Sequence, residues 1–148
     1  MEIRMTQGLP IDARLIREEV FEREQEFQEE FDCWEDVSLH AVLYQEGNPV
    51  ATARMLLLED GKTYKIGRIA VRKPYRGQGL GRRMVEVMEE KARELGGSRA
   101  ELSAQVQAIG FYEKLGYRSV GEIYYEEHVP HVKMVKELSK NLGKNSKT

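Results

Sequence analysis

The chain has 148 residues, 41% hydrophobic and 32% charged, with a formal net charge of -2. That length allows one domain with a sizeable core, and the near-neutral charge excludes a generic nucleic-acid binder. No apolar run reaches membrane-spanning length, the first ten residues lack the apolar centre of a secretion signal, and a single cysteine, Cys33, excludes an internal disulfide or a cysteine-rich zinc site. A cytoplasmic location is the default expectation, with Cys33 an incidental half-buried residue. Charge is unevenly placed. Glu18 to Asp36 is strongly acidic, and its acids are expected to form mostly a solvated face. Arg68 to Arg83 is basic with no acid at all.

In chain order, Ile3 and Met5 alternate with polar neighbours and predict a short edge strand. Gly8, Pro10 and Asp12 signal a turn and a helix start. The stripe Leu15, Ile16, Val20 and Phe21 predicts an amphipathic helix over 11–25. Gln28 to Val37 fits either a second short helix or an ordered loop. Strands are predicted over 38–45, 50–58 and 63–72, joined by the turns Glu46-Gly47-Asn48-Pro49 and Glu59-Asp60-Gly61-Lys62, which together give an antiparallel meander.

From Leu80 the period becomes helical (Leu80, Met84, Val87, Met88, Ala92, Leu95) and stops at Gly96-Gly97. Arg99 to Ala104, which contains AELSA, is the next strand, and Gln107 to Leu115 is a short helix. Tyr117 to His128 and Val132 to Leu138 read as a last antiparallel pair joined around Pro130. Residues 1–138 form one domain on this reading, and 139–148 a polar tail that frays. The long helix is a crossover, so its flanking strands can lie parallel within a mixed sheet.

Between the third meander strand and that helix lies IGRIAVRKPYRGQGLGRR, Ile66 to Arg83. A strand, a glycine loop and a helix N-terminus in succession bind anions. Glycine permits close backbone approach, and the unpaired N–H groups of the first turn point at the ligand. No Lys-Ser/Thr follows Gly81, which excludes a nucleoside-triphosphate loop, and Arg82 stands where a dinucleotide fingerprint needs its third glycine.

The stretch RGQGLG resembles the acyl-CoA pyrophosphate loop Arg/Gln-x-x-Gly-x-Gly/Ala of the GNAT (Gcn5-related N-acetyltransferase) superfamily, with Arg76, Gly79 and Gly81 at the motif positions. Gln105 to Tyr117, QVQAIGFYEKLGY, resembles the second signature of that family, with Ala108, Phe111, Tyr112, Gly116 and Tyr117 matching and Gln105 in place of the usual asparagine. Further segments, among them Arg17 to Phe21, Ser38-Leu39-His40, Ile66 to Ile69 and Val129-Pro130-His131, are similar to the small bacterial ElaA/YjcF-like subgroup.

The resemblance implies an α/β (α+β) GNAT acyltransferase fold, a mixed and mostly antiparallel central sheet with helices on both faces. It implies transfer of an acetyl group from acetyl-CoA to a small-molecule or peptide amine by direct attack on the thioester, without a metal, by a monomer or homodimer. Cofactor contacts fall to Ile69, Ala70 and Val71 along the fourth strand, to Arg76, Gly77, Gln78, Gly79, Gly81 and Arg82 in the loop, and to Gln105. Arg72, Lys73 and Arg83 would add attraction for phosphates. Tyr112 would stand near the CoA sulfur and protonate the leaving thiolate. A glutamate base on the fourth strand is not evident, since Gly67 and Arg68 occupy that region; Glu24, Asp32, Asp36, His40 and His131 are the candidates. A non-catalytic acyl-CoA sensor or interaction module is the alternative of another class, and an O-acyl or longer-acyl transferase the alternative within catalysis.

Overall fold

The computed structural model describes residues 1–28 and 30–138, so the expected C-terminal tail lies outside the described residues. Seven strands hydrogen-bond in the order β1-β2-β3-β4-β5-β7-β6: β1 is Glu2–Gln7, β2 Leu39–Gln45, β3 Asn48–Leu57, β4 Thr63–Val71, β5 Arg99–Gln105, β6 Arg118–Glu126 and β7 Val129–Glu137. The helices are α1 (Ile11–Arg17), α2 (Leu80–Glu94) and α3 (Ile109–Lys114). β4 and β5 run parallel, while β1–β2, β2–β3, β5–β7 and β6–β7 are antiparallel. The α+β architecture is therefore the one expected. The described residues pack as two compact units, Met1–Leu56 with Ile66–Met88, and Leu57–Lys65 with Glu89 onward.

In the first unit, Ala13 and Ile16 of α1 pack with Val20, Phe21, Val42, Tyr44 and Ala70 in one apolar cluster. The predicted single helix over 11–25 is instead a short α-helix that widens into a π-helical turn, Glu18–Glu24. Its wider ladder is seen where the Gln25 N–H reaches back to the Val20 carbonyl. The buried face runs through Ala13, Ile16, Arg17, Val20 and Phe21, and Leu15 falls beside it, 49% exposed. Residue 28 and residues 30–37 form turns and irregular chain, not a second helix, and Cys33 is exposed, contrary to expectation. The first hairpin turns through Glu46 and Gly47, both at positive φ, so β3 already begins at Asn48.

In the second unit, Asp60 builds the turn before β4. Its carboxylate accepts the N–H groups of Lys62 and Thr63 and the Thr63 hydroxyl, and Gly61 sits at φ 75°. The last residues of α2 belong to this unit; Ala92 is buried there, but Leu95, assigned by period to the apolar face, is 52% exposed because the helix has already ended. Burial alternates strictly along β5, with Ala100, Leu102 and Ala104 in the core and Glu101, Ser103 and Gln105 on the other face. The last hairpin turns at Glu127-His128, and Pro130 lies inside β7 rather than in the turn. β7 also inserts between β5 and β6, leaving β6 as an exposed edge with a register shift between Val120 and Tyr124 around Gly121, φ 85°.

Gly97 ends α2 in a crowded place. A Cβ there would lie 2.6 Å from Cδ1 of the buried Tyr64 ring. Gly97→Ala is expected to cost about 1–3 kcal/mol by overpacking. Urea unfolding checks it, and the double variant Gly97→Ala, Tyr64→Leu should recover part of the loss.

Candidate active site

The phosphate-loop residues all lie in the first unit. β4 carries Ile69 and Val71 half-buried and Ala70 buried, and a short 3₁₀ turn, Lys73–Tyr75, follows it. The parallel register of β4 with β5 covers only Thr63 to Lys65, whereas β4 itself continues to Val71. Within that continuation Arg68 adopts φ 51°, a left-handed conformation in mid-strand that costs a non-glycine residue about 1 kcal/mol or more. Such a residue interrupts the regular ladder of the strand.

After the 3₁₀ turn the chain reverses through Gly77 (φ 85°) and Gly79 (φ 77°), with no atom within 4 Å of either missing Cβ. α2 then starts, and the Arg83 N–H to Gly79 carbonyl bond, 3.0 Å, closes its first turn. The N–H groups of Leu80, Gly81 and Arg82 precede that bond and have no intrahelical acceptor. An open, left-handed glycine loop ahead of free helical N–H groups fits a pyrophosphate.

The basic residues of this stretch are not simply displayed. Arg76 binds the Glu24 carboxylate through both terminal nitrogens, at 2.7 and 2.8 Å, while its Nε donates to the Val71 carbonyl at 2.8 Å. That pairing raises the Arg76 pKa and lowers that of Glu24. Arg72 pairs with Glu19 and donates to the Pro49 carbonyl. Arg82 pairs with Glu86, and the Gln78 side-chain oxygen accepts from Gln45. The acids of the π-helical turn thus hold the guanidinium groups that follow β4, a pairing that charge counting along the chain does not reveal.

A second ionic network takes Glu30, Asp32 and Glu35 out of the expected solvated acidic face. Arg17, 1% exposed, binds Glu30 at 2.5 Å and Glu35 at 2.6 Å. Arg54 grips Asp32 through two 2.8 Å bonds and also reaches Glu35. Arg68 pairs with Glu30 and Asp32. Three guanidinium groups meet three carboxylates. A hollow of about 400 Å³ beside it is lined by Leu9, Arg14, Phe31, Asp32, Cys33, Glu35 and Asp36.

The network also narrows the search for a base. Hydrogen bonding from Arg54 holds the Asp32 carboxyl at about 2, against the cost of burial. Glu24 is committed to Arg76. Burial lowers the pKa of His40, whose Nε2 meets the Glu35 carbonyl at 2.9 Å with no exposure of the residue. For Asp32 the stability linkage has a definite sign. Its folded pKa lies below the unfolded value of about 3.9, so its contribution is present above pH 4 and lost as pH falls towards 2. Glu30, raised first by burial, acts in the opposite direction. Asp32→Asn should cost about 2 kcal/mol at pH 7, and the difference from the parent should close between about pH 4 and pH 2, as denaturant unfolding at each pH would report.

Gln105 and Tyr112 lie in the second unit. Gln105 ends β5 and accepts from the Gln107 amide. The predicted helix over 107–115 resolves into a 3₁₀ turn, Val106–Ala108, followed by α3. The Tyr112 ring sits edge-on to Phe111 and Tyr117, with centroids 5.0 and 6.0 Å away. Its hydroxyl makes no hydrogen bond among the described residues, and burial pushes its pKa up to about 12. Tyr117 is fixed in turn by Glu89, which accepts its hydroxyl at 2.7 Å and also binds Lys136. The phenol of Tyr112 therefore remains protonated at neutral pH, with its ring packed edge-on between Phe111 and Tyr117.

Two clusters escaped the sequence reading as clusters: the Arg17–Glu30–Glu35 core with Arg54 and Arg68, and the group of Ser103, Tyr124, Glu126 and His131, of which only His131 was a candidate. Each joins side chains from separate elements, which no local period signals.

A family model described as an acetyltransferase (GNAT) domain matches residues 11–138. YyaT of Bacillus subtilis is 40% identical over 136 residues, covering 88% of this chain and 90% of its own. The uncharacterized N-acetyltransferase YjcF of the same organism is 39% identical, covering 85% and 91%. Among solved structures, Escherichia coli ElaA superposes with a TM-score of 0.82 at 25% identity, over 92% of this chain and 99% of its own. The fold is also that of an aminoglycoside 6'-N-acetyltransferase crystallised with coenzyme A, TM-score 0.72 at 15% identity, covering 95% and 99%. With the glycine loop, the protonated Tyr112 and these matches together, the chain belongs to the GNAT acetyltransferase family, in its ElaA/YjcF-like subgroup, and is an acyltransferase.

Proposed function

We propose that this acyltransferase moves an acetyl group from acetyl-CoA to a primary amine by direct attack on the thioester. The observation that carries the reading is the open loop at Gly77 and Gly79 ahead of the α2 N–H groups. Backbone donors of Gln78, Gly79, Gly81 and Arg82 would hold the pyrophosphate, and the helix dipole favours the charge there. The edge of β4 at Ile69, Ala70 and Val71 would pair with the amides of the pantetheine arm as an added strand does. Bound there, the thioester supplies the activated acyl group.

Arg76 acts mainly through the backbone on this reading. By holding the Val71 carbonyl it fixes the direction of the chain as it leaves β4, and with it the neighbouring N–H groups. An N–H near Val71 would stabilise the negative charge that develops on the thioester oxygen. Gln105 would contribute its amide to the cofactor. Tyr112, held protonated by burial, would hydrogen-bond the departing sulfur and pass it a proton that solvent returns to the phenolate, leaving thiol as the product at neutral pH.

The test is direct. The protein is incubated with acetyl-CoA and a panel of primary amines, with thiol release and product mass recorded. Amine-dependent thiol release with an N-acetyl product is the expected result. Binding of CoA without release for any acceptor would instead favour a sensor, and release confined to alcohols or to longer acyl donors would favour the other transferases.

A further inference from the structure

β4 offers no carboxylate to deprotonate the acceptor, since Arg68 occupies that place and is tied to Glu30 and Asp32. The second unit holds a proton-accepting group that the reading above does not use. Along β5 the face opposite the core carries Ser103 and Gln105, so Ser103 shares its side of the strand with the residue that opens the second signature. Gln105 is the cross-strand partner of His131 on β7, and His131 is the partner of Tyr124 on β6. The three strands thus bring Ser103, His131 and Tyr124 to one face, with Glu126 two residues beyond Tyr124.

The contacts define direction. Ser103 donates its hydroxyl to Glu126 Oε2 at 2.9 Å, and Ser103 and Tyr124 share a hydrogen bond between their hydroxyls. His131 is buried, stacked on Tyr124 and anchored through Nδ1 to the Val129 carbonyl at 2.8 Å. A carbonyl only accepts, so Nδ1 carries the hydrogen and the lone pair sits on Nε2. Nε2 faces Glu126 Oε1 at 3.4 Å, and the Glu126 side chain is 41% exposed. One oxygen of the carboxylate is held by Ser103; the other lies between solvent and an imidazole with room for a proton.

We propose that Glu126, backed by His131, is the base that deprotonates the acceptor amine. The inference rests on the amine-transfer reading. An alkylammonium N–H bond breaks, leaving its electron pair on nitrogen for attack, and the proton bonds to Glu126 Oε1. It passes to His131 Nε2, giving an imidazolium that the restored carboxylate stabilises. Glu126 meets the acceptor; His131 and Ser103 position it. Among the described residues, Tyr124 stacks on His131, Glu101 on β5 acts electrostatically on Tyr124, and Lys133 on β7 is the cross-strand partner of Ser103.

The test uses two acceptors of similar shape, 2-phenylethylamine and its 2,2-difluoro analogue. The fluorines lower the basicity of the amine, so that it is largely neutral at assay pH. Glu126→Gln should reduce kcat/KM for phenylethylamine by about 10²-fold or more, and for the difluoro amine by only a few-fold, with CoA affinity unchanged. His131→Asn should shift the acidic limb of the pH profile. Equal losses for both amines, or none, would overturn the proposal. Histidine NMR reads the pair without turnover. At one fixed pH, Glu126→Gln should shift the His131 ring resonances, and unmoved resonances would overturn the contact between the two side chains. A parent protein that releases no thiol with any amine would end the transfer reading itself, and the catalytic role with it.

Discussion

Gly81→Val is expected to weaken CoA binding about 100-fold or more while leaving the fold intact. Gly81 lies inside the first turn of α2, outside the positions that need positive φ, so valine can adopt its backbone conformation. What valine removes is the access of a phosphate to the N–H groups of that turn. Hydrogen bonds to charged groups contribute about 1.5–3 kcal/mol each, so losing two is sufficient for the stated factor. Helix propensity does not oppose the change, since valine is a better helix former than glycine, so stability should change by about 1 kcal/mol or less. Gly79→Val differs in kind. Gly79 sits at φ 77°, so the same substitution also strains the backbone. Calorimetric titration with CoA, beside thermal unfolding of both variants, separates the two effects. Unchanged affinity in a folded Gly81→Val protein would remove the loop from the phosphate site.

Tyr112→Phe is expected to lower kcat by about 10²–10⁴-fold with little change in CoA affinity. The structure makes this a clean deletion. The ring is held edge-on by Phe111 and Tyr117, and phenylalanine keeps both contacts. The hydroxyl has no protein partner among the described residues, so nothing is left unsatisfied by its removal, and stability should stay within about 0.5 kcal/mol. The loss should shrink with acyl donors whose leaving group needs no proton. Turnover equal to the parent, with chemistry shown to be rate-limiting, would leave Tyr112 as a packing residue only.

Local chemistry made some of this legible from the chain alone. Gly77 and Gly79 announce their loop because only glycine adopts those φ values cheaply, and the change from strand to helix period at Leu80 marks where α2 begins. The strands follow from alternation, as in the Ala100, Leu102 and Ala104 face of β5. Pairing between distant residues is not written in any local period. Nothing near Glu30 or Glu35 in sequence marks them as buried, because Arg17, Arg54 and Arg68 arrive from α1, β3 and β4. The position of β7 between β5 and β6 is hidden for the same reason, since a hairpin is equally consistent with β6 next to β5. At Arg68 and in the π-helical turn the backbone departs from what its residue types favour, and tertiary contacts decide the outcome.

The placement of β7 has a consequence for how the chain matures. During synthesis β5 and β6 leave the ribosome before the strand that hydrogen-bonds to both of them. Until Val129–Glu137 emerges, β6 has no neighbour in the sheet and β5 presents an open flank, with the apolar side chains of Leu102 and Ala104 lacking Met134 and Val132 beside them. The second unit therefore closes late and all at once, by insertion of one central strand rather than by growth at an edge. A nascent chain halted before Val129 would display two unsatisfied strand flanks, the form most prone to pairing with other chains.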